Sequence, residues 1–252
     1  MQVAKYSASG NDFVIFHSDV KASRNDLARE LCHRQNGVGA DGLIVLVPHE
    51  QYDFEWEFYN ADGSHADMCG NGSRAAAHYA LNHALAKEKM SFLTGAGLIN
   101  AEVTQNTKKS GMVMSELTPP KIIETAIEHG GKKWWLLNTG VPHLVSLQED
   151  VNDFDIQEAR ALRHKYNANV NICCVSGKDL LVRTYERGVE DETLACGTGM
   201  AACFYRALQE HKVGEETLVY PTSKERLYLG VNERTITFKG EVKCTFVTEW
   251  EG

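Results

Sequence analysis

Between Asp53 and Tyr59 the chain alternates strictly: Phe54, Trp56 and Phe58 point one way, Asp53, Glu55 and Glu57 the other. A period of two with one apolar face predicts a strand half-buried in a sheet. Leu43-Ile44-Val45-Leu46-Val47, just before it, is a continuous apolar run of strand length and predicts a buried strand. The stretch 5–16 predicts a strand, a tight turn at Ser9-Gly10-Asn11-Asp12 and a second strand through Phe13-Val14-Ile15-Phe16. A helix is expected over about 26–35, with Ser23 and Asp26 as a capping box and Gly37 as its stop. Gly37 to Gly42 is glycine-dense and reads equally as a plain turn or as a loop that a ligand approaches closely. After the turn Asn60-Ala61-Asp62-Gly63, a helix runs from Cys69 to about His83, and short strands fill 90–117.

The second half repeats the plan. A strand over 134–138 ends in the turn Thr139-Gly140-Val141-Pro142-His143, and Asp155 with Glu158 caps a short helix to about His164. Strands are expected over 169–175 and 180–186, then a long helix from Cys196 to about Lys212. Four strand candidates close the chain, with Val242, Cys244 and Phe246 alternating against Lys243 and Thr245. Many short strands with one long helix per half predict an α+β fold, a sheet wrapped around a central helix, twice. Pro119-Pro120 is the best candidate boundary between the halves.

The two long helices begin alike. Residues 69–81 read C-G-N-G-S-R-A-A-A-H-Y-A-L, and 196–208 read C-G-T-G-M-A-A-C-F-Y-R-A-L. Cys69 and Cys196, Gly70 and Gly197, Gly72 and Gly199, Ala75 and Ala202, Ala80 and Ala207, and Leu81 and Leu208 are matched at one constant offset of 127 residues. In a chain of 252 residues that offset is close to half the length and marks an internal duplication, each half presenting one cysteine.

Hydrophobic content of 43% and charged content of 24% are those of an ordinary globular protein. A net charge of −8 argues against nucleic acid or an acidic membrane as partner. No apolar run approaches the roughly 20 residues needed to span a bilayer. The N-terminus lacks a signal peptide's apolar core, so a cytoplasmic location is expected. Seven cysteines in no compact pattern fit a reducing compartment. Cys32, Cys173, Cys174, Cys203 and Cys244 read as small apolar residues, and no metal-ligand spacing, dinucleotide fingerprint or P-loop occurs.

A cysteine at a helix start meets unpaired backbone N–H groups and the positive end of the helix dipole, both of which favour a thiolate. Two such cysteines, paired by duplication, fit three roles: a redox pair, structural residues, or the two bases of a racemase or epimerase. Inverting a carbon requires removing a proton from one face and returning one to the other, and two acid/base groups on opposite sides of a substrate do this directly. The N–H groups of Gly70, Asn71, Gly197 and Thr198 would then hold an α-carboxylate as carbanion charge flows into it. That scheme requires no pyridoxal phosphate.

The motifs S-G-N-D-F (Ser9–Phe13), G-V-G-A-D-G (Gly37–Gly42), N-A-D-G-S (Asn60–Ser64), M-C-G-N-G-S-R (Met68–Arg74), E-R-G-V (Glu186–Val189) and L-A-C-G-T-G (Leu194–Gly199) occur in this order along the chain. With them the sequence resembles the diaminopimelate epimerase family. The resemblance implies two pseudo-symmetric domains, each a curled sheet or barrel around a central helix. Residues 1–118 would carry Cys69, residues 119–241 Cys196, and a last strand at about 242–252 would pair back onto the first. It implies cofactor-independent interconversion of LL- and meso-diaminopimelate, in lysine and peptidoglycan-precursor synthesis, by a homodimer. Cys69 and Cys196 would be the catalytic bases, and Asn11, Asn60, Asn169, Glu186 and Arg187 would line the substrate site. Arg187 and the asparagines would hold the distal amino-acid end, and His143 and Glu186 would tune the thiols. Val141 departs from the family's G-N-P-H, whose asparagine contacts substrate. A proline- or hydroxyproline-type racemase of the same fold, and a non-catalytic binding or thiol-redox protein, are the alternatives.

Overall fold

The computed structural model describes residues 1–232 and 235–251. The chain divides into two units, Met1–Glu116 with Lys239–Gly252, and Leu117–Phe238.

The first unit holds strands β1 (Gln2–Ala8), β2 (Asn11–His17), β3 (Gly42–Val47), β4 (Phe54–Asn60), β5 (Lys89–Thr94), β6 (Gly97–Asn106) and β7 (Ser110–Glu116), with helices α1 (Asn25–Cys32) and α2 (Gly70–Asn82). The strands are neighbours in that order, β7 lies beside β16 (Thr235–Glu249), and β16 pairs antiparallel with β1, so the sheet closes on itself. Its hollow is filled by α2. Ala75, Ala76, Ala77 and Ala80 pack against Tyr6, Phe13, Ile15, Trp56 and Phe92 from the strands, and small side chains let the sheet close around a helix buried on every side. β3 is buried along its length because Ile44 and Leu46 face α2, whereas Leu43, Val45 and Val47 face α1 on the outside. In β4, Phe54, Trp56 and Phe58 point inward, and the outward Glu55 and Glu57 pair with Lys21 and Arg24.

In the second unit the strands are β8 (Lys121–His129), β9 (Lys132–Asn138), β10 (Pro142–Leu147), β11 (Asn169–Ser176), β12 (Asp179–Glu186), β13 (Asp191–Thr193), β14 (Glu216–Tyr220) and β15 (Leu227–Asn232). From β15 the order runs β14, β12, β11, β10, β9, β8, with β13 paired to β12. Helix α4 (Gly197–Gln209) packs on β9 to β12, and Ala159 and Leu162 of α3 (Ile156–Tyr166) join Leu144, Val170, Ile172 and Tyr185 in a separate cluster.

Several expectations need correction. The capping box of α1 does not form: Arg24 is the N-cap without a side-chain bond, Ser23 Oγ donates to the Asn25 side chain, and Asp26 pairs with Arg29. The helix stops at Cys32 because the chain folds back, Gly39 N and Ala40 N bonding the carbonyls of Leu31 and Cys32. That fold explains the glycines: a Cβ on Gly37 would sit 2.1 Å from Glu30 O, so this loop is glycine-rich for its own packing. Strands β8 and β10 were not foreseen; β10 begins at Pro142, inside the expected turn, leaving His143 on a strand. Asp155 caps α3 as expected, but Glu158 pairs with Lys132 and does not complete a box. Helix α4 ends at Gln209, and among the described residues three strands follow it, not four. Val242 is buried, but Phe246 is exposed, so the alternation of β16 does not mark one buried face to its end.

Candidate active site

Cys69 and Cys196 occupy the same local position. Each is the N-cap of its unit's long helix and each is extended, with φ −147° and ψ 117° at Cys69 and φ −119° and ψ 107° at Cys196. An N-cap side chain points back across the first turn, where backbone N–H groups have no intrahelical acceptor. Cys69 Sγ accepts from Gly72 N at 3.4 Å, the bond a capping serine or aspartate ordinarily makes. The glycine three residues after each cysteine clears the space beside it. A Cβ on Gly72 would lie 3.2 Å from Ile44 Cδ1, and one on Gly199 would lie 2.4 Å from Asn171 Oδ1.

In the first unit Gly70 and Asn71 are buried in the opening turn of α2. Asn71 Nδ2 donates to Asn11 Oδ1 at 2.6 Å, which joins the start of α2 to the start of β2. Asn60, at the end of β4, is exposed and donates from Nδ2 to Ser64 Oγ at 2.9 Å, within its own turn.

Around Cys196 the second unit assembles a directed chain of hydrogen bonds. Asn171 Nδ2 donates to Leu144 O at 3.0 Å, and its Oδ1 accepts from Thr184 Oγ1 at 2.9 Å, so the amide orientation is fixed. The same Nδ2 lies 3.2 Å from His143 Nδ1, which must therefore accept. Burial pushes the His143 imidazole down to about 3, with the charge of Arg187 adding to the effect, so the ring is neutral. A neutral ring accepting at Nδ1 carries its proton on Nε2. Nε2 lies 2.9 Å from Thr198 Oγ1 and donates to it. Asn169 Nδ2 is also 3.4 Å from that nitrogen, too long to displace the shorter bond. The Thr198 hydroxyl, which accepts that bond, also lies 3.6 Å from Cys196 Sγ, and either group can be the donor there. A hydroxyl proton given to that sulfur favours the thiolate.

Asn169, the first residue of β11, receives Arg187 N on its Oδ1 at 2.7 Å, and Arg187 Nη1 donates to Asn167 O at 3.1 Å. Glu186, half-buried, ends β12 immediately before Arg187. His143, Asn169, Arg187, Thr198 and Cys196 thus form one group, and Asn11, Asn71 and Cys69 another. Val141 is half-buried, and its carbonyl accepts from Thr139 N at 3.3 Å. Sequence reasoning missed Asn171, Thr184 and Arg74, whose guanidinium donates to Asn71 Oδ1 at 2.6 Å. Asn171 had a signal: a second polar residue two positions after Asn169 in an otherwise apolar strand.

Sequence comparison places the chain as a whole. The profile of the family described as diaminopimelate epimerase matches residues 3–123 and 135–244. The diaminopimelate epimerase of a Nitratiruptor species is 58% identical over 100% of this chain and 99% of its own length. That of Campylobacter lari is 53% identical over 99% of both. Among solved structures, a probable proline racemase from Agrobacterium radiobacter K84 superposes with a TM-score of 0.77 over 99% of this chain and 92% of its own, at 15% identity. A phenazine biosynthesis protein of the PhzF family from Bacillus anthracis gives 0.74 over 100% and 99%, at 16% identity. These two share the fold, two-unit α+β, and at such identities nothing more follows from them. The chain belongs to the diaminopimelate epimerase family.

Proposed function

We propose that this protein interconverts LL- and meso-diaminopimelate by a two-base mechanism in which Cys69 and Cys196 act on opposite faces of one α-carbon. The observation that carries the reading is the identical N-cap placement of the two cysteines, each at the start of its unit's long helix. In one direction a thiolate removes the α-proton and becomes a thiol. The electron pair of the broken C–H bond moves into the α-carboxylate, and the opposite thiol gives its proton to the other face, leaving a thiolate. The roles exchange for the other epimer. Backbone N–H groups at Gly70, Asn71, Gly197 and Thr198 are suited to hold the carboxylate as its charge grows, the task that a pyridoxal phosphate performs in other racemases. The Asn171–His143–Thr198 chain supplies a donor to Cys196 Sγ and so favours its thiolate. Asn11, Asn60, Asn169, Glu186 and Arg187 bind the substrate, with the planar guanidinium of Arg187 suited to the distal carboxylate. The protein acts as a cytoplasmic homodimer in lysine biosynthesis.

The fold is shared with proline racemases, so substrate choice needs a direct test. Purified protein in deuterated water with LL-diaminopimelate, proline or hydroxyproline should place solvent deuterium at Cα of diaminopimelate alone. Exchange into proline or hydroxyproline, with none into diaminopimelate, would reassign the substrate.

A further inference from the structure

The helix start that bears Cys69 is tied to a surface ion cluster by a row of side chains, of which the two-base scheme uses only that of Asn11. Arg34 grips both oxygens of Asp12 at 2.9 Å and reaches Asp41 Oδ1 at 2.7 Å. Lys5 Nζ adds a contact to Asp12 Oδ2 at 2.8 Å. Burial would raise the Asp12 carboxyl, but the bonds from Arg34 and Lys5 outweigh it and hold the group well below the usual carboxylate range. Asp41 Oδ2 accepts from Asp12 N at 3.1 Å and from Asn11 Nδ2 at 3.2 Å, so both oxygens of Asp41 are engaged. From Asn11 the row continues: Asn71 Nδ2 donates to Asn11 Oδ1 at 2.6 Å, and Arg74 Nη2 donates to Asn71 Oδ1 at 2.6 Å and to Ser9 Oγ at 2.7 Å.

The chemistry of the two ends fixes the middle. An asparagine amide can turn over and exchange donor for acceptor, whereas a carboxylate only accepts and a guanidinium only donates. Asp41 therefore demands the nitrogen of Asn11. Arg74, fully buried, demands the oxygen of Asn71. Starting from either end, the bond between the amides comes out the same way, nitrogen of Asn71 to oxygen of Asn11. Each amide keeps one N–H and one lone pair, in directions set by the row. For half-buried Asn11 these are what a substrate meets.

We infer that Asp41 is a positioning residue: as the acceptor-only end of the row Asp41–Asn11–Asn71–Arg74, it sets which face of the Asn11 amide is presented to substrate. This rests on the reading that Asn11 contacts diaminopimelate. The backbone N–H groups at the start of α2 are fixed by the helix itself, so losing Asp41 weakens substrate holding and leaves carbanion stabilisation in place.

The test compares Asp41→Asn, Asp41→Glu and Arg34→Gln for KM and kcat with LL-diaminopimelate, and for the assigned ¹⁵N–¹H signals of the asparagine side-chain amides without substrate. An amide at position 41 no longer demands a donor. Asp41→Asn should raise KM roughly tenfold with kcat within about threefold, the pattern of lost uniform binding. It should also move the Asn71 amide signal, although Asn71 is not bonded to Asp41. Asp41→Glu retains an acceptor-only group and should return KM to within about threefold of wild type. Arg34→Gln loosens the ion cluster but leaves Asp41 Oδ2 to Asn11, so KM should stay within about twofold and the Asn71 signal in place. Should Asp41→Asn not fold, Asp41→Ser removes the same carboxylate and is held to the same two outcomes. A KM change without movement of Asn71, or movement without a KM change, overturns the inference. So does an Arg34→Gln variant as impaired as Asp41→Asn, since the effect would then be cluster stability. A wild-type protein without turnover of diaminopimelate overturns the substrate reading alone, and the Asn71 signal then carries the test.

Discussion

His143 has no exposed surface, and a charged imidazole there would lose its hydration and turn a second proton, on Nδ1, toward the donating amide of Asn171. Its folded value of about 3 lies below the ordinary 6.5, so the unfolded chain takes up the proton first. The contribution of this residue to stability is complete above pH 6.5 and declines by about 1.4 kcal/mol per unit as pH falls from there toward 3. Side-chain ¹⁵N spectra of the histidines should include a ring still neutral at pH 5 with its proton on Nε2 that disappears in His143→Gln. Titration of every ring near 6.5 would contradict the buried chain to Cys196. At this scale the sequence was partly legible. Cys69 and Cys196 stood out because duplication printed them twice with their glycines. Asn171, Thr184, Asp41 and Arg74 did not, because their roles depend on partners 13 to 65 residues away or on a helix face that only the closed sheet defines.

Gly72 and Gly199 are matched in the repeat, yet their surroundings differ. Alanine at 72 would press on the end of the Ile44 side chain at 3.2 Å, a methyl that can swing away. Alanine at 199 would meet Asn171 Oδ1 at 2.4 Å and Thr184 Oγ1 at 3.1 Å, both held in the bonds that orient His143. Gly199→Ala should therefore cost about 1–3 kcal/mol by overpacking and Gly72→Ala less than about 1 kcal/mol, read from urea unfolding midpoints. Equal losses would show that the Asn171 network yields as easily as an isoleucine. Elements with a clear face were legible as elements: β4 alternates, β3 is a pure apolar run, and α2 and α4 carry the repeat. β8 was not, since almost all of it is exposed and it has no buried face to write a period. β10 was hidden by Pro142, which reads as a turn but is tolerated as the first residue of a strand. The start of α1 misled because Ser23 spends its hydroxyl on Asn25 and caps nothing.

Across the whole molecule, each unit is a sheet packed on one long helix, with the cysteine where that helix begins. β16 serves both units, its first residues in one and the remainder in the other, and no sequence mark announces the passage, because strand alternation looks the same in either sheet. Family membership supplies the substrate class, and the matched helix starts supply the chemistry now proposed for it. That chemistry requires both thiols in each direction, one to take a proton and one to give it. The decisive measurement is turnover of LL- and of meso-diaminopimelate by Cys69→Ala and by Cys196→Ala, each checked for native unfolding midpoint. Both variants should fold, and both should lose about 10²–10⁴-fold in epimerisation of either substrate, the usual worth of a general acid or base. Either variant retaining more than about a tenth of wild-type turnover in either direction would contradict a two-base mechanism through Cys69 and Cys196.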